Sequence, residues 1–357
     1  MQSVEGVRRD LGQSDWSEDG LQRVQVCPAC GSQRRARLHS GLTDRVFFCA
    51  PGRWDLYRCP DCRSCYLDPR PTPQTVHLAY RRYFTHADRG NSTGDEPGAG
   101  LRLARRALAN GYRNWRYRTR LEPSSKLGIL VAPIFRRHRQ AWDADMRHIP
   151  KARKGSRLLD VGSGDGSFLS RARGAGWDVV GVEPDPQAWA ISRQAGLDVR
   201  HGGVECVSGE RESFDVITMN HVIEHVRDPR QELLQAYALL KPAGLLYLET
   251  PNIESRGHEH FGPHWYALDP PRHLVPLNWT SLESLLASVG FGTIRRFPRR
   301  DVSSDLATKS RSIERGEDPE IPRAPSIADR LAATLTATHN AIDYRRSDFV
   351  TLIAQKP

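Results

Sequence analysis

The sequence predicts an α/β protein: a mostly parallel sheet covered by helices on both faces, preceded by a cysteine module and a basic helical segment. From Arg157 onward, short apolar strands alternate with amphipathic helices, a pattern typical of doubly wound parallel sheets. Before that point stand two Cys-x-x-Cys pairs and a stretch in which Lys and Arg far outnumber the acids.

The sheet region can be divided into elements by its apolar runs. Strands are predicted at Arg157–Val161, Val179–Glu183, Val199–Arg200, Asp215–Asn220, Gly244–Thr250, Gly292–Phe297 and Phe349–Ala354. Helices are predicted at Gly166–Ala175, Pro186–Ala195, Gln231–Leu240, Ser281–Val289 and Ile327–Ile342. The charged, proline-containing stretch Arg299–Ser326 is expected to be a surface excursion, and residues 101–149 to form one or two basic helices.

A glycine-rich turn follows the first strand of this region. Gly162, Gly164 and Gly166 let the backbone turn sharply and let a ligand approach it closely. The helix that follows offers free N–H groups and a positive dipole end. The spacing is Gly-x-Gly-x-Gly, and a dinucleotide loop has Gly-x-Gly-x-x-Gly. The turn therefore indicates a nucleotide-like cofactor of another kind.

Two carboxylates narrow the identity of that cofactor. Asp160 opens the turn, where it would repel a pyrophosphate but suit a cationic sulfonium with an amino-acid tail. Glu183 ends the next strand, where a carboxylate can accept both hydroxyls of a ribose. Together with the strand DVITMN farther along, these features predict S-adenosylmethionine as the cofactor.

Four segments resemble the successive motifs of class I S-adenosylmethionine-dependent methyltransferases. They are LLDVGSGDGSFL, VVGVEPDP, FDVITMNHVIEHVRDP and LLKPAGLLYLETPN, and HWYALDPPRHL and SLESLLASVGF extend the similarity to about residue 297. Within that class, the chain resembles a bacterial group that carries an N-terminal zinc ribbon and is often linked to polysaccharide or secondary-metabolite synthesis. That group is related to the O-methyltransferases of ubiquinone biosynthesis.

The resemblance implies a fold and a set of cofactor contacts. The fold is a seven-stranded, mostly parallel, Rossmann-like methyltransferase sheet with a reversed last strand. Asp160 and the loop glycines would contact the methionine portion, Glu183 the ribose, and Asn220 would lie near the methyl group. The predicted cofactor-binding residues are Asp160, Gly162, Ser163, Gly164, Gly166, Glu183 and Asn220. Ser163 stands where the family more often has Cys.

Polar residues after the fourth strand are candidates for the chemistry, because transfer to a hydroxyl needs a base or a metal. His221, Glu224 and His225 would share one face if a helix begins there. They either form a polar network that caps the strand–helix junction or face the acceptor as base or metal ligands. In the ubiquinone enzymes, matching positions carry an acidic cluster for a divalent ion. His221 replaces an acid here, which disfavours magnesium because imidazole prefers softer metals.

A second group of histidines follows the fifth strand. His273, in the segment of strongest resemblance, is the first candidate for a base or acceptor ligand, with fixation of its loop as the alternative. His264 and Trp265 come next, as residues that shape the acceptor site, and His258 and His260 are expected to be exposed. The predicted catalytic residues are His273, His221, Glu224, His225 and His264.

The paired cysteines predict structural zinc. Thiolates at i and i+3 on two tight turns supply the four ligands Cys27, Cys30, Cys59 and Cys62. With four sulfur ligands the ion has no open position, so its role is folding or docking. Gly31 suits the first turn, whereas Arg63 at the matching place in the second leaves room for Cys65 to replace a ligand.

The basic segment has a charge of its own. Between Arg102 and Arg157 stand sixteen Lys and Arg but three Asp and Glu, within a chain of net charge +10. This stretch suits an anionic membrane surface or a phosphorylated substrate, with nucleic acid less favoured, and its alternative is a solvated helix face.

Composition also bears on the compartment. No run approaches the roughly 20 apolar residues needed to span a bilayer, and the N-terminus shows no hydrophobic segment typical of a signal peptide. Seven cysteines, four of them in knuckles, argue against a disulfide framework. We therefore expect a cytoplasmic protein, with a peripheral contact to a membrane.

The expected organisation and function follow from these features. The parts are a flexible N-terminus at 1–22, a zinc ribbon at 23–73, a linker with basic amphipathic helices at 74–150, and a methyltransferase domain at 151–357 with an insertion at about 299–345. The predicted reaction is methyl transfer from S-adenosylmethionine to a hydroxyl of a glycan-type or secondary-metabolite acceptor, releasing S-adenosylhomocysteine. The alternatives are an RNA methyltransferase that docks RNA through the ribbon and basic segment, and an inactive cofactor-binding scaffold.

Overall fold

The computed structural model describes residues 16–81, 99–134, 136–297, 299, 302–321, 323 and 343–357. The chain divides into two compact units: Met1–Phe84 with His221–Leu234 and Leu248–Leu352, and Thr85–Asn220 with Gln235–Tyr247 and Ile353–Pro357. Each unit is assembled from separated stretches of chain. The predicted helix Ile327–Ile342 lies outside the described residues.

The cysteine-rich part of the first unit consists of short antiparallel strands. They are β1 (Leu21–Gln22), β2 (Ala36–Leu42), β3 (Trp54–Arg58), β4 (Cys65–Leu67) and β5 (Arg70–Pro71). β1 pairs with β5, and β2, β3 and β4 form a three-stranded sheet in that order. Its small core consists of Val24, Cys27, Cys59 and Tyr66, so two of the paired cysteines are themselves core residues.

The basic segment forms three helices, α1 (Ala99–Tyr117), α2 (Leu127–Val131) and α3 (Arg136–Asp145), rather than the one or two predicted. The tyrosine hydroxyls of Tyr112 and Tyr117 both donate to the Oδ1 of Asp143, at 2.9 and 2.6 Å. α1 and α2 approach closely at Gly128, where an added Cβ would lie 1.9 Å from the carbonyl oxygen of Leu108 on α1. These contacts bury part of a stretch that is otherwise strongly basic.

Seven strands form one sheet, as predicted. They are β6 (Arg157–Val161), β7 (Asp178–Glu183), β8 (Val199–His201), β9 (Phe214–Asn220), β10 (Leu240–Pro251), β11 (Ile294–Arg296) and β12 (Phe349–Gln355). Their order is β11-β12-β10-β9-β6-β7-β8. β6 runs parallel to β7 and β9, and β7 runs parallel to β8. The last strand of the chain is thus inserted between β10 and β11, and the sheet is Rossmann-like.

Six further helices complete the two units. They are α4 (Ser167–Gly174), α5 (Pro186–Gln194), α6 (Pro229–Leu239), α7 (Arg256–Phe261), α8 (Trp279–Val289) and α9 (Ser303–Glu314). Four of them lie within two residues of the predicted bounds. The expectation of a surface excursion at Arg299–Ser326 was wrong for α9, because this helix buries Leu306 and Ile313.

Local chemistry explains where several helices begin. Asp185 accepts hydrogen bonds from the backbone N–H groups of Gln187 and Ala188 at the start of α5. Asn278 forms a reciprocal capping box with Ser281 at the start of α8. None of the helices in the described ranges combines the length and apolar character needed to cross a membrane.

Candidate active site

The glycine turn joins β6 to α4. Gly164 and Gly166 both have positive φ, 56° and 78°, a backbone region that L-residues with side chains rarely adopt. At Gly166 an added Cβ would also lie 2.3 Å from the Cδ1 of Leu197. The N–H groups of Gly162 and Ser163 donate to the carbonyl of Val182 on β7, at 2.9 and 3.1 Å. The turn therefore requires glycine for its conformation and is held close to the end of β7.

Asp160 is fully buried at the end of β6. Its Oδ1 accepts hydrogen bonds from Thr218 Oγ1 at 2.8 Å and from Arg147 Nη1. Its Oδ2 is buried without a partner among the described residues, as is the nearby Ser163 Oγ. Burial raises the pKa of Asp160, against the opposing effect of the Arg147 charge. Two unpartnered polar atoms on this turn fit the ammonium and carboxylate of an amino-acid ligand.

Arg147 is a site residue that the sequence reasoning missed. Its guanidinium carbon lies 3.8 Å from the centroid of the Phe168 ring, and its Nη1 donates to Thr218 Oγ1 at 2.9 Å. The prediction treated Asp160 as a lone carboxylate, but the structure gives it this cationic partner. One arginine among sixteen basic residues offers no sequence signal, because its pairing depends on a tertiary contact.

Glu183 connects the glycine turn to the end of β7. Its Oε2 accepts from the Gly164 N–H at 2.7 Å, and its Oε1 accepts from the Asp185 N–H at 2.9 Å. Burial raises its pKa, and these two hydrogen bonds oppose the increase. Each carboxylate oxygen keeps a second lone pair, so the predicted contact with ribose hydroxyls is compatible with this geometry. Asn220 is the last residue of β9.

The polar residues after β9 come together through a turn. No helix begins at His221, which has a φ of 55°, and α6 starts only at Pro229, so the helical premise of the prediction was wrong. Nevertheless, His221 Nδ1 lies 3.2 Å from Glu224 Oε1. His221 Nε2 lies 3.7 Å from an oxygen of Glu249, an acid within β10 that the sequence reasoning did not select. Burial disfavours the His221 imidazolium, but the Glu224 hydrogen bond and the nearby carboxylates raise its pKa.

Glu224 lies at the centre of this imidazole cluster. Its Oε2 accepts from Thr250 Oγ1 at 2.9 Å, and its Oε1 lies 3.9 Å from His273 Nε2. Burial alone would raise the pKa of Glu224, but the His221 hydrogen bond and the surrounding imidazoles lower it to about 2. Glu224 is therefore a buried carboxylate that stays ionised at neutral pH.

His225 and His273 contact each other, with ring centroids 4.7 Å apart. His273 Nδ1 lies 2.9 Å from the carbonyl oxygen of Ala267, which can only accept, so the proton resides on Nδ1 and the lone pair on Nε2. Burial lowers the pKa of both residues to about 4. Both imidazoles are thus neutral near pH 7, the form needed for a general base or a metal ligand.

Glu224, His225 and His273 also have the donor set of a metal site. One ligand atom from each residue lies within 4.8 Å of those from the other two. Two imidazoles with one carboxylate suit ions of the zinc or iron type better than magnesium. His221, which the sequence reasoning grouped with Glu224 and His225, is replaced in this set by His273.

The loop that carries His273 is fixed by a buried ion triad. Arg272 is fully buried, and its Nη2 contacts Asp44 Oδ1 at 2.5 Å and Asp269 Oδ1 at 2.6 Å. Its Nη1 donates to the carbonyl of Ala79 at 2.8 Å. A guanidinium between two carboxylates uses most of its donors, and this holds the neighbouring His273 in place.

The remaining histidines have other surroundings. His264 lies against Arg45, whose Nη1 is 3.0 Å from its Nδ1, and lines a cleft of about 190 Å³ with Trp265. His258 is buried, with its Nε2 2.9 Å from that of His39, so the expectation that it is exposed was wrong. His260 is exposed, as expected.

The four paired cysteines converge. All four Sγ atoms lie within 4.8 Å of one another, a donor set that fits tetrahedral zinc. The members of the cluster are Cys27, Cys30, Cys59 and Cys62. In the two knuckles, the N–H of Gly31 donates to Cys27 O at 2.8 Å and that of Arg63 donates to Cys59 O at 2.9 Å.

Arg63 adopts the same backbone conformation as Gly31, with φ of 62° and 76°. The second knuckle therefore needs no replacement ligand. Cys65 begins β4 and lies outside the cluster, and burial raises its pKa to about 12, which disfavours a thiolate. The alternative in which Cys65 is a ligand is thus not supported by the structure.

Comparison with known proteins relates the central part of the chain to methyltransferases. A family model described as a methyltransferase domain matches residues 135–295. The ubiquinone biosynthesis O-methyltransferase of Roseobacter denitrificans is 38% identical over 123 residues, which cover 33% of this chain and 49% of that protein. The protein of the same name from Ruegeria pomeroyi is 38% identical over 110 residues, covering 29% and 44%. The chain spans about half the length of the curated relatives it matches.

A solved structure can be set beside these relatives. The crystal structure of a SAM dependent methyltransferase from Archaeoglobus fulgidus is 20% identical, covers 64% of this chain and 99% of that chain, and superposes with a TM-score of 0.42. From the family match, the relatives and the sheet order, the chain carries a class I S-adenosylmethionine-dependent methyltransferase domain.

Proposed function

We propose that the protein transfers a methyl group from S-adenosylmethionine to a hydroxyl of a small-molecule acceptor of the glycan or secondary-metabolite type. The observation that carries this proposal is the imidazole cluster, in which the ionised Glu224 lies beside the neutral His225 and His273. Such a group can accept a proton from a hydroxyl and stabilise the cation that results. The names of the relatives, ubiquinone biosynthesis O-methyltransferases, support an oxygen acceptor.

The glycine turn binds the cofactor in this proposal. The Oδ2 of Asp160 and the Oγ of Ser163 would receive the amino-acid portion, because both are buried and have no partner among the described residues. Glu183 would hold the ribose while still accepting the backbone N–H of Gly164. When bound, the cofactor would supply an electrophilic methyl group, whose bond to the sulfonium sulfur breaks as an in-line nucleophile attacks the methyl carbon and the sulfur leaves as a neutral thioether.

His273 is the proposed base. Its Nδ1–H is fixed by the carbonyl of Ala267, so Nε2 presents a lone pair to the acceptor hydroxyl. As the acceptor oxygen forms its bond to the methyl carbon, the O–H proton passes to Nε2 of His273. The Glu224 carboxylate, 3.9 Å from that nitrogen, stabilises the imidazolium. The products are the methyl ether and S-adenosylhomocysteine.

The test is a comparison of His273→Gln with His260→Gln, a change at an exposed histidine, in an assay of S-adenosylhomocysteine release. Sugars, phenols and RNA serve as acceptors. We expect kcat of the His273 variant to fall by roughly 10²- to 10⁴-fold, with the dissociation constant of the cofactor unchanged. The control should keep full activity.

Three outcomes would contradict the proposal. Full activity of the His273 variant would exclude His273 as the base. Methylation of RNA and of no other acceptor would favour an RNA methyltransferase. Binding of the cofactor with no transfer to any acceptor would favour the scaffold. Activity that requires added zinc or iron would instead make Glu224, His225 and His273 metal ligands.

We also propose structural zinc on the four clustered thiolates. The convergence of four sulfur atoms and the equivalent hydrogen bonds of the two knuckles support this assignment. Zinc held by four thiolates has no open position, so it would stabilise the fold of the cysteine module rather than take part in the reaction.

A second proposed property is docking of the basic helices on an anionic membrane. Six large apolar side chains on α1 and α2 or just after α2 are more than half exposed: Leu101, Leu103, Trp115, Leu127, Leu130 and Ile134. They accompany an excess of arginines, and apolar side chains beside cationic ones are typical of helices that lie in a membrane interface. Such docking suits a membrane-borne acceptor.

Flotation with vesicles tests this docking. The chain should float with vesicles that contain phosphatidylglycerol, and added salt should weaken the association. Leu130→Gln, at a side chain that is 70% exposed, should reduce the floated fraction severalfold, whereas Ile191→Gln on α5 should not. Equal recovery with neutral and anionic vesicles would argue against the docking surface.

A further inference from the structure

A groove of about 930 Å³ lies beside the first cysteine knuckle. Its walls come from residues 22–31 and Arg70 of the cysteine module, from the turn before α6 and the first turn of α6, and from α8. Four arginines line it: Arg23, Arg70, Arg227 and Arg230. We call it the arginine groove. It is separate from the imidazole cluster, whose residues do not line it.

The arginines of the arginine groove outnumber its carboxylates. Asp228 is the one acid in its lining, and its Oδ1 accepts from the N–H of Gln231 in the first turn of α6. The nearby Asp68 is paired with Arg35. Within the part of the chain that the structure describes, none of the four lining arginines forms an ion pair with a carboxylate. The groove therefore holds four guanidiniums against one carboxylate, beside Cys27 and Cys30 of the proposed zinc site.

Two of these guanidiniums are held in place by neutral acceptors. Arg70 Nη1 donates to the carbonyl of Arg227 at 3.0 Å, and Arg227 Nη1 donates to Gln22 Oε1 at 2.6 Å. Arg227 Nη2 also donates to the carbonyl of Pro71. Such partners fix the positions of the cations without cancelling their charge, so an incoming anion would find them preorganised.

Arg70 gives a second observation that points to an anionic ligand. Its Nε is buried and has no acceptor among the described residues. Burial, followed by the like charge of Arg227, lowers the pKa of Arg70 to about 10. Two cations held close in a partly buried place repel each other, and a bound polyanion would remove that repulsion.

The other lining residues suggest what accompanies the anion. Leu285 and Val24 form a buried apolar floor, Val26 is 41% exposed, and Ser284 and Ser288 offer hydroxyls from α8. The volume is within the range of small-molecule sites, about 300–1,000 Å³. A concave site with an apolar floor suits a compact ligand better than a nucleic-acid backbone, which needs a long basic stripe.

We propose that the arginine groove binds a small organic molecule that carries a diphosphate. Planar guanidiniums engage phosphate oxygens through paired hydrogen bonds, and four of them are enough to neutralise the roughly two to three negative charges of an esterified diphosphate. The apolar floor would contact the organic part of the ligand. This inference does not depend on the identity of the methyl acceptor or on methyl transfer itself.

The test uses inorganic pyrophosphate as the probe and the full chain as the receptor, with isothermal titration at low salt. Orthophosphate and sulfate are compared under the same conditions. We expect pyrophosphate to bind more tightly than either, and added salt to weaken it. Arg227→Gln and Arg230→Gln should each weaken pyrophosphate about 10-fold or more, and Arg193→Gln on α5 should leave its affinity unchanged.

Arg230 is exposed, so its variant should fold normally, which keeps the test valid if changes at the partly buried Arg227 disturb folding. A thermal melt of each variant checks this point. Loss of affinity in Arg230→Gln but not in Arg193→Gln supports the site. Absence of pyrophosphate binding, equal binding by all variants, or binding of RNA without binding of pyrophosphate would each overturn the proposal.

Discussion

Replacing Asp160 by Asn tests the cofactor site most directly. The Oδ1 of Asp160 is occupied by Thr218 and Arg147, so an Asn side chain would keep its oxygen there and turn its amide nitrogen toward the place of Oδ2. Because that amide nitrogen and the ammonium of a bound amino acid are both donors, they cannot form a hydrogen bond with each other. The variant thus loses one buried, charge-assisted hydrogen bond.

The expected size of the effect follows from that loss. A hydrogen bond to a charged group contributes about 1.5–3 kcal/mol, and each 1.4 kcal/mol is a factor of ten in affinity. The dissociation constant should therefore rise roughly 10- to 100-fold. Because Arg147 also loses its charged partner, the free energy of unfolding should fall, and this fall needs separate measurement.

Isothermal titration with both S-adenosylmethionine and S-adenosylhomocysteine is the assay. The two share the amino-acid tail, but only the first carries the sulfonium charge, so equal losses would place Asp160 at the tail. A greater loss for S-adenosylmethionine would place it near the sulfur. Asp178→Asn, at an exposed carboxylate on β7, is the matched control. An unchanged affinity in a folded Asp160→Asn protein would refute this account of the site.

Three further predictions concern the support of the site. Cys62→Ser should release zinc and lower the melting temperature, whereas Cys65→Ser should retain the metal. Metal analysis of the purified proteins measures this. Zinc loss in both variants would contradict the assignment of Cys62, and not Cys65, as the ligand. Arg272→Met leaves two buried carboxylates without a cation and should lower the free energy of unfolding by roughly 3–5 kcal/mol; a loss below about 1 kcal/mol in urea titration would show that the triad matters little. Burial lowers the pKa of His225 and His273 from 6.5 to about 4, so the unfolded chain takes up protons first as the pH falls. As the pH falls from about 6.5 to about 4, the free energy of unfolding should therefore decline by up to about 1.4 kcal/mol per pH unit for each histidine. If the free energy of unfolding of His273→Gln falls with pH as steeply as that of the unchanged protein, this prediction is contradicted.

Local patterns explain what the sequence could predict of the cofactor site. The glycine turn, Asp160 and Glu183 all stand at strand ends, where spacing along the chain determines position in the fold. The bounds of β6 and β9 were recognisable for the same reason, since strands covered on both faces consist of continuous apolar runs. Whether these residues bind the cofactor as expected stays a prediction that the Asp160 variant tests.

Tertiary contacts explain what the sequence could not predict. Arg147 reaches Asp160 from a basic stretch in which no arginine is distinctive. His273 contacts His225 from 48 positions farther along the chain, through a loop held by Arg272. Glu249 is an acid inside β10, and acids within strands give no signal of their own. These pairings depend on how distant segments pack, which periodicity does not report.

The choice between Cys62 and Cys65 as the zinc ligand shows that a local backbone conformation can also escape prediction from the sequence. Arg63 stands where the first knuckle has glycine, which leaves Cys65 open in the sequence as an alternative to Cys59 or Cys62. In the structure Arg63 adopts the left-handed conformation nonetheless, and its side chain forms an ion pair with Glu254 at 2.6 Å. A distant contact thus accompanies a local conformation that is uncommon for arginine.

The segment after His273 has a consequence for any attempt to divide this protein. The carbonyls of Leu274 and Pro276 accept N–H groups from β4, at 3.1 and 2.8 Å, while the N–H of Val275 donates to the carbonyl of Glu224 at 3.0 Å. A chain shortened to begin near residue 151 would lack β4. The carbonyls of Leu274 and Pro276 would then lose their hydrogen-bond donors and become exposed. Because β4 of the cysteine module supplies the hydrogen-bonding partner of that segment, the histidine loop and the module should be kept together in any shortened or engineered form of the protein.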